Sequence, residues 1–472
     1  MNAPLSPARR RFAATLLVLL AGTVPRGAFA DAIDDYVRAE MEKQHIPGLS
    51  LAVVKNGKVV RVAGYGVADV EKKLPATPDT VYEIGSLTKQ FTAVAILMLE
   101  AERKVGLDHR VSKYVAGTPA AWKDITLRHL LTHTSGIKNY TDLPNFDTLM
   151  VAPTTREGLV SRMAALPLEF APGAKWDYSN TGYFLLGLVI EKAAEKSYAA
   201  FLKERIFTPL GMTSTAVLED KAAFTGLSKG YQWNKNANTG AEVISMTWPF
   251  SAGAIVSTVN DIARWDAALY TDRLLRRSRR EAMWTPVTLT DGTKAGYGFG
   301  WDVGSVRGHR NVSHGGGIPG FTSYISRFPD DGWTVVVLTN QGEGAKASSI
   351  VRGITERTVP TLAPVASAAI EDREPKVTAL VKSVYEQAAR GEIDAARFTA
   401  PLAGAISTQL KAGFQETLQS WGALESVVLL ERREANGNQI YRYRLVYKNN
   451  KALTVCTIDK DGKITGLQIS PE

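Results

Sequence analysis

The sequence predicts a mixed α/β (α+β) protein: an antiparallel sheet flanked by helices, an all-helical lobe in the middle of the chain, and a small cone-like α+β domain at the C-terminal end. Three observations carry this. Strand-like runs at residues 49–54 and 59–65 are joined by Asn56-Gly57, and runs at 321–328 and 333–340 by Pro329-Asp330-Asp331-Gly332, so a hairpin lies near each end of a long helix-rich stretch. Near the C-terminus, strand-like runs at about 426–434, 439–447, 452–458 and 463–469 are separated by Asn436-Gly437-Asn438, Asn449-Asn450 and Asp461-Gly462, the signature of an antiparallel meander. Between the two regions, Pro360, Pro364 and Pro375 sit among small residues, a linker composition.

Taken in order, the chain begins with a leader. Arg9-Arg10-Arg11 is a basic start, residues 12–21 are apolar, and Ala28-Phe29-Ala30 is a small-x-small cleavage site, so residues 1–30 read as a signal peptide. The apolar run is too short to span a bilayer, and no later run is long enough. Arg9-Arg10-Arg11-Phe12 also fits twin-arginine export, with Ala8 in place of the leading serine or threonine. An exported, periplasmic or secreted protein is expected, with no transmembrane segment after signal removal. Cleavage after Ala30 removes four arginines and no acid, and the net charge falls from +9 to +5. So mild an excess points to no acidic partner, and a chain with a single cysteine forms no internal disulfide. A main domain at 31–358 follows, opened by a helix over 32–44; then come a linker at 359–376 and an accessory α+β domain at 377–472. That last domain is entered through a helix with Val377, Leu380, Val381 and Val384 on one face and looks like the nuclear-transport-factor type by pattern.

Ser86-Leu87-Thr88-Lys89 places a hydroxyl one helical turn before an amine, on one face of a helix. A serine hydroxyl needs a base beside it to act as a nucleophile, and a lysine serves only where burial or a nearby cation lowers its pKa. Residues 90–100 are apolar almost all round, so the pair is expected at the N-terminus of a buried helix, a setting that favours developing negative charge. Alone the motif is weak, since about one S-x-x-K is expected by chance in a chain this long.

Two other clusters strengthen it. Trp176-Asp177-Tyr178-Ser179-Asn180 ends a turn-rich loop and opens a helical run at 183–190; Tyr178 can carry a proton and Asn180 can hold a carbonyl, or Asn180 caps the helix. A second Y-x-N at Tyr447-Lys448-Asn449 closes a strand near the C-terminus and is set aside. His314-Gly315-Gly316-Gly317 is a glycine-rich strand edge where backbone can approach a ligand closely.

In order and spacing these fragments resemble the serine β-lactamase and penicillin-binding protein superfamily, in particular its class C β-lactamase-like esterases and D-amino-acid peptidases. The likeness spans residues 31–358. It is carried by VYEIGSLTKQFTA around Ser86, Leu130-Leu131-Thr132-His133-Thr134-Ser135-Gly136, FAPGAKWDYSNTGY, Pro209-Leu210-Gly211-Met212 and SAGAIVSTVNDIARW. It implies a β-lactamase-like fold with the site between sheet and lobe, Ser86 as nucleophile, and Lys89 and Tyr178 as its partners in proton transfer, either of them the resting base. It further implies substrate binding by Asn180, His314, Gly315 and Gly316, and an oxyanion hole from the backbone N–H groups of Ser86 and Gly317. One departure stands out: where classical β-lactamases have Lys-Thr-Gly, this chain has His314-Gly315-Gly316. A histidine is mostly neutral near pH 7, so recognition of a β-lactam or D-alanine carboxylate should weaken. The expectation is a serine hydrolase acting on a short-chain ester, D-amino-acid peptide or β-lactam through an acyl-enzyme. A non-catalytic recognition or regulatory protein of the same fold is the alternative.

Other chemistries fare worse. His129 and His133 have the i, i+4 spacing of a zinc pair on a helix, but Leu130 stands where the general-base glutamate of H-E-x-x-H belongs; no metal or cofactor is expected. His45, His109 and His309 form no cluster. Arg276-Arg277-Ser278-Arg279-Arg280 reads as a solvated face, and no nucleic-acid module accompanies it. Cys456 lies in a strand pattern and reads as a small packed side chain. The partner is a small-molecule or peptide substrate, and oligomeric state is not legible.

Overall fold

The computed structural model describes residues 26–219, 226–342, 344–359, 362, 369–409, 413–435 and 437–471. The chain divides into two units, Met1–Leu362 and Ala363–Glu472, with the division inside the expected linker. Residues 1–25 of the expected leader lie outside the described residues.

The main sheet of unit 1 has seven strands: β1 (Gly48–Lys55), β2 (Lys58–Asp69), β3 (Leu74–Pro75), β4 (Asp302–Val306), β5 (His309–Ile318), β6 (Phe321–Phe328) and β7 (Trp333–Thr339). They lie in the order β4-β5-β6-β7-β1-β2-β3, every neighbouring pair antiparallel. The early and late hairpins meet where β1 pairs with β7, from Leu49 opposite Thr339 to Lys55 opposite Trp333. Asn56 (φ 49°) and Gly57 (φ 71°) both take positive φ, as the tight turn between β1 and β2 requires.

The principal helices of this unit are α1 (Arg26–Lys43), α2 (Thr88–Ala101), α3 (Leu127–Leu131), α4 (Asn180–Ala194), α5 (Val259–Ala268) and α6 (Ala347–Thr358). The first begins at Arg26, before the expected start at 32, so Ala28-Phe29-Ala30 lies within it. Strand periodicity sorts the central strands between two cores. Leu49, Leu51, Val53, Val335 and Val337 pack with Ile33 and Val37 of α1 and Ile350 and Ile354 of α6. Ala52, Val54, Val336 and Leu338 face the opposite way, into the core shared with α2, α4 and α5. With both faces covered, β1 reads as a nearly unbroken apolar run. Helix α2 is buried from Thr88 to Leu99, which its all-round apolar sequence anticipates.

The basic run is not simply a solvated face. It opens the helix Arg277–Met283, where Arg279 pairs with Glu100 and Arg280 is buried, donating to the carbonyls of Thr271 and Leu275 and to Asp272. A guanidinium at such a position can only be buried because its donors find oxygen acceptors.

Unit 2 carries α7 (Pro375–Ala389), α8 (Ala400–Gln409) and α9 (Gln415–Ser420), then an antiparallel meander of β8 (Leu424–Ala435), β9 (Asn438–Tyr447), β10 (Lys451–Ile458) and β11 (Ile464–Pro471). Tyr441, Tyr443, Leu445 and Tyr447 alternate along β9 into a core with Val381, Val384 and Tyr385 of α7. Cys456 is fully buried there as a packed side chain, its thiol pushed up to about 12 by burial.

Candidate active site

Ser86 does not sit on α2 itself. It lies in a single 3-10 turn, Gly85–Leu87, that feeds the helix, and Lys89 lies on the first turn of the helix proper. The tighter turn brings i and i+3 nearly into line, so the two side chains meet as an α-helical spacing would have them do. The turn is clamped on both sides. Tyr82 and Glu83 pair with Ser257 and Val256, the Ile84 N–H donates to the Ile255 carbonyl, and Ile255 N–H donates to Thr88 Oγ1. On the opposite side, Ser323 Oγ of β6 donates to the Ile84 carbonyl at 2.8 Å.

Strand β5 is pressed against this turn, which explains its glycines. A Cβ on Gly316 would lie 2.1 Å from the Ile84 carbonyl oxygen and 2.3 Å from Ser323 Oγ. Gly85 has φ +51°, and a Cβ there would come 2.9 Å from the Gly317 backbone nitrogen. Neither position tolerates a side chain without moving the backbone. A Cβ on Gly317, in contrast, would meet nothing within 4 Å.

Lys89 is fully buried. Its Nζ lies 3.0 Å from Ser86 Oγ, 2.7 Å from Asn180 Oδ1 and 2.9 Å from the Ala252 carbonyl oxygen. Burial holds its pKa well below the usual lysine range. Two of the three neighbours are carbonyl oxygens, which only accept, so a neutral amine gives both its N–H groups to them and turns its lone pair to the serine hydroxyl.

Tyr178 reaches the same point from the far side of the sequence. Its phenol lies beside Ser86, its ring lies under Lys89 Nζ at 4.8 Å from the centroid, and burial raises its pKa above the ordinary tyrosine value. Asn180 lies beside it because Ser179, not Asn180, caps α4: Ser179 Oγ accepts the Gly182 N–H at 3.3 Å. That frees the Asn180 amide to meet Lys89 through Oδ1 and to face the cleft.

His314 is brought close but not into the open. It is buried on β5, with Nε2 2.8 Å from the Tyr297 hydroxyl and Nδ1 2.6 Å from the Gly315 carbonyl oxygen. Burial lowers its pKa to about 3. Nδ1 must carry the proton to donate to a carbonyl, and Nε2 then accepts from the phenol. Both ring nitrogens are engaged inside the protein, which corrects the expectation that His314 binds substrate through its side chain.

Three contributors were not singled out from the sequence, and a fourth was weighed there only as a zinc ligand. The Ala252 carbonyl is backbone and carries no residue-type signal. Tyr297 holds His314, and Asn139 Oδ1 accepts the Asn180 N–H at 3.0 Å. The fourth is His133. It does not share a helix with His129: α3 ends at Leu131, and His133 takes φ 59° just beyond it. The His129 ring is turned back into a capping box with Thr126. Among the described residues, no group of three His, Cys, Asp or Glu side chains is placed to hold a metal.

The cleft beside Ser86 has a volume of about 110 Å³, and the described residues that line it are uncharged: Gly85, Asn180, Ala252 and Gly317, with Tyr140, Phe146, Met150, Ile244, Trp248 and Ile318. A hydroxyl, a buried amine and a phenol thus converge on an apolar cleft.

Comparison with known proteins places the chain in a family. The family model described as Beta-lactamase matches residues 33–354. Penicillin-binding protein 4* of Bacillus subtilis (strain 168) is 33% identical over 319 residues, which cover 64% of this chain and 70% of that protein. A D-stereospecific amidohydrolase from Streptomyces sp. superposes with a TM-score of 0.58 at 28% identity, covering 71% of this chain and 98% of that one. The octameric penicillin-binding protein homologue from Pyrococcus abyssi has the same fold over 92% of this chain and 94% of its own, with a TM-score of 0.63 at 23% identity. The protein therefore belongs to the Beta-lactamase family, within the serine β-lactamase and penicillin-binding protein superfamily, and is a serine hydrolase.

Proposed function

We propose that the protein cleaves esters or amides of an apolar acyl group through an acyl-enzyme on Ser86. The observation that carries this is the environment of Lys89 Nζ: two carbonyl oxygens and the Ser86 hydroxyl, in a buried site. In this reading neutral Lys89 takes the Ser86 proton as Oγ attacks the substrate carbonyl. The backbone N–H groups of Ser86 and Gly317 receive the oxyanion, a contribution of about 3–4 kcal/mol per donor in comparable sites. Tyr178, which keeps its proton near neutrality, passes it to the departing oxygen or nitrogen and is refilled from Lys89. Water then attacks the acyl-enzyme by the reverse proton path.

The substrate class follows from the walls. Asn180 offers an amide to a polar group next to the scissile carbonyl, and the aromatic and aliphatic residues beyond it suit an apolar acyl side chain. Among the described residues no charged side chain lines the cleft, and His314 is neutral with both nitrogens engaged. Substrates whose binding depends on a carboxylate, β-lactams and D-alanyl peptides among them, are therefore ranked below p-nitrophenyl esters and amides with no free carboxylate. The likeness to a D-stereospecific amidohydrolase supports D-amino-acyl amides as the first amides to try.

The test is a panel of p-nitrophenyl butyrate, D-phenylalanine amide, a D-alanyl-D-alanine peptide and nitrocefin, each with the wild type and Ser86→Ala. The ester and the D-amide should turn over with kcat/KM at least about tenfold above nitrocefin, a difference of about 1.4 kcal/mol. Turnover that is unchanged in Ser86→Ala, or confined to nitrocefin, would count against the reading. The basic and apolar leader supports export as part of the same proposal, and N-terminal sequencing of the exported form should begin at Asp31.

A further inference from the structure

His133 has no place in the chemistry above, yet it is one of the most constrained residues in unit 1. It is buried, with 1% exposure, and its backbone lies in the left-handed region at φ 59°. It occupies the position just past the end of α3, where the chain must reverse, and histidine is among the few non-glycine residues enriched there.

What this reversal achieves is a grip on both neighbours of Tyr178. The His133 carbonyl accepts the Asp177 N–H at 2.9 Å, and its Nδ1 accepts the Ser179 N–H at 3.1 Å. The imidazole lies against the Tyr178 ring, centroids 4.3 Å apart, with Tyr297 at 4.6 Å and Tyr183 at 5.1 Å around it. Burial holds the pKa of the ring well below the usual histidine range, and the Nδ1 lone pair is available to the Ser179 N–H. Residues further along extend the template: Ser179 Oγ donates to the Ile137 carbonyl, and Thr181 Oγ1 donates to the Lys138 carbonyl. Only at His133, however, do backbone, side-chain nitrogen and ring all bear on the segment carrying the phenol.

We propose that His133 is a positioning residue for the proton relay, fixing the Tyr178 phenol on Ser86 by holding the peptide on either side of it and packing on its ring. The inference rests on the reading that Tyr178 carries a proton in the reaction. It requires that losing His133 matter only through Tyr178. A misplacement of about 1 Å at a reacting group can cost about 100-fold in rate, so kcat should fall while KM, set by the cleft walls, stays nearly constant.

The experiment is a double-mutant cycle on the full chain, with p-nitrophenyl butyrate as substrate and the thermal midpoint recorded for every variant. Tyr178→Phe alone tests the underlying reading: if it retains wild-type kcat, the relay role of Tyr178 fails. Given that loss, His133→Ala should lower kcat about 10- to 100-fold with KM within about threefold, and His133→Ala combined with Tyr178→Phe should be no slower than Tyr178→Phe alone. His133→Asn keeps a side-chain acceptor and tolerates positive φ, so it should recover most of the loss. If His133→Ala does not fold, His133→Phe, which keeps a ring but no acceptor, takes its place in the cycle with the same expectation. Losses that multiply with Tyr178→Phe overturn the proposal, as does a His133→Asn variant as slow as His133→Ala.

Discussion

Lys89 has no carboxylate partner among the described residues, and its chemistry follows from that. An ammonium buried beside an acid would stay charged; one buried among a hydroxyl and two carbonyls loses its proton more readily. Tyr178 is shifted the other way, since burial also disfavours the phenolate. In the proposed mechanism the two shifts favour Lys89 as the base and Tyr178 as the acid, roles that spacing along the chain leaves open. With the lysine pKa lowered, the active form is the one with neutral Lys89, so kcat/KM should rise with pH along a limb below the usual lysine range. It should then stay level into the alkaline range, because Tyr178 keeps its proton beyond the ordinary tyrosine value. A pH–rate profile on p-nitrophenyl butyrate checks this, and a rate that climbs without levelling up to pH 10 contradicts it. Lys89→Met should lower kcat by about 10²–10⁴, the usual contribution of a general base. The Ser86, Lys89 and Tyr178 positions could be brought together because the order and spacing of their motifs resemble those of a known family, whereas each motif alone is weak. His133 and Ala252 were harder to see: one acts through backbone geometry that spacing does not reveal, the other through a main-chain carbonyl.

At the scale of elements, the site depends on how closely β5 approaches the 3-10 turn that carries Ser86. Two adjacent glycines of that strand separate packing from permissiveness. Gly316→Ala forces a methyl to 2.1 Å from the Ile84 carbonyl oxygen and should destabilise by about 1–3 kcal/mol or more, with loss of activity as the turn shifts. Gly317→Ala meets nothing within 4 Å and should leave the thermal midpoint within about 2 °C of wild type, a change of under about 0.5 kcal/mol. Thermal melts of the two variants side by side decide the matter, and equal destabilisation contradicts this account of the strand. The hairpin at Asn56-Gly57 was legible because only a few residue pairs accept two positive φ values in succession. The cap of α4 was not: Ser179 and Asn180 are both good N-cap residues, and only the demand of Lys89 for an acceptor shows which of them is released to the site.

For the whole molecule, the described side chains around Ser86 belong to unit 1, and each unit carries a hydrophobic core of its own. Turn chemistry between its strands made the meander of unit 2 readable, whereas the division at Ala363 is a matter of contacts, which linker composition marks only loosely. A chain ending at Leu362 should hydrolyse p-nitrophenyl butyrate with kcat within about threefold of the full chain, a difference of under about 1 kcal/mol in barrier height. A drop of 100-fold or more with a folded unit 1 would give the accessory unit a part in catalysis.

The central claim is that Ser86 is the nucleophile, activated by the amine and phenol that meet it. Its most direct measurement is intact-mass and peptide mapping of the protein after treatment with a fluorophosphonate, set against Ser86→Ala. A single adduct is expected, on the peptide containing Ser86, and it should vanish in Ser86→Ala while the thermal midpoint stays nearly unchanged. An adduct on another residue, or one that persists in a folded Ser86→Ala protein, contradicts the account.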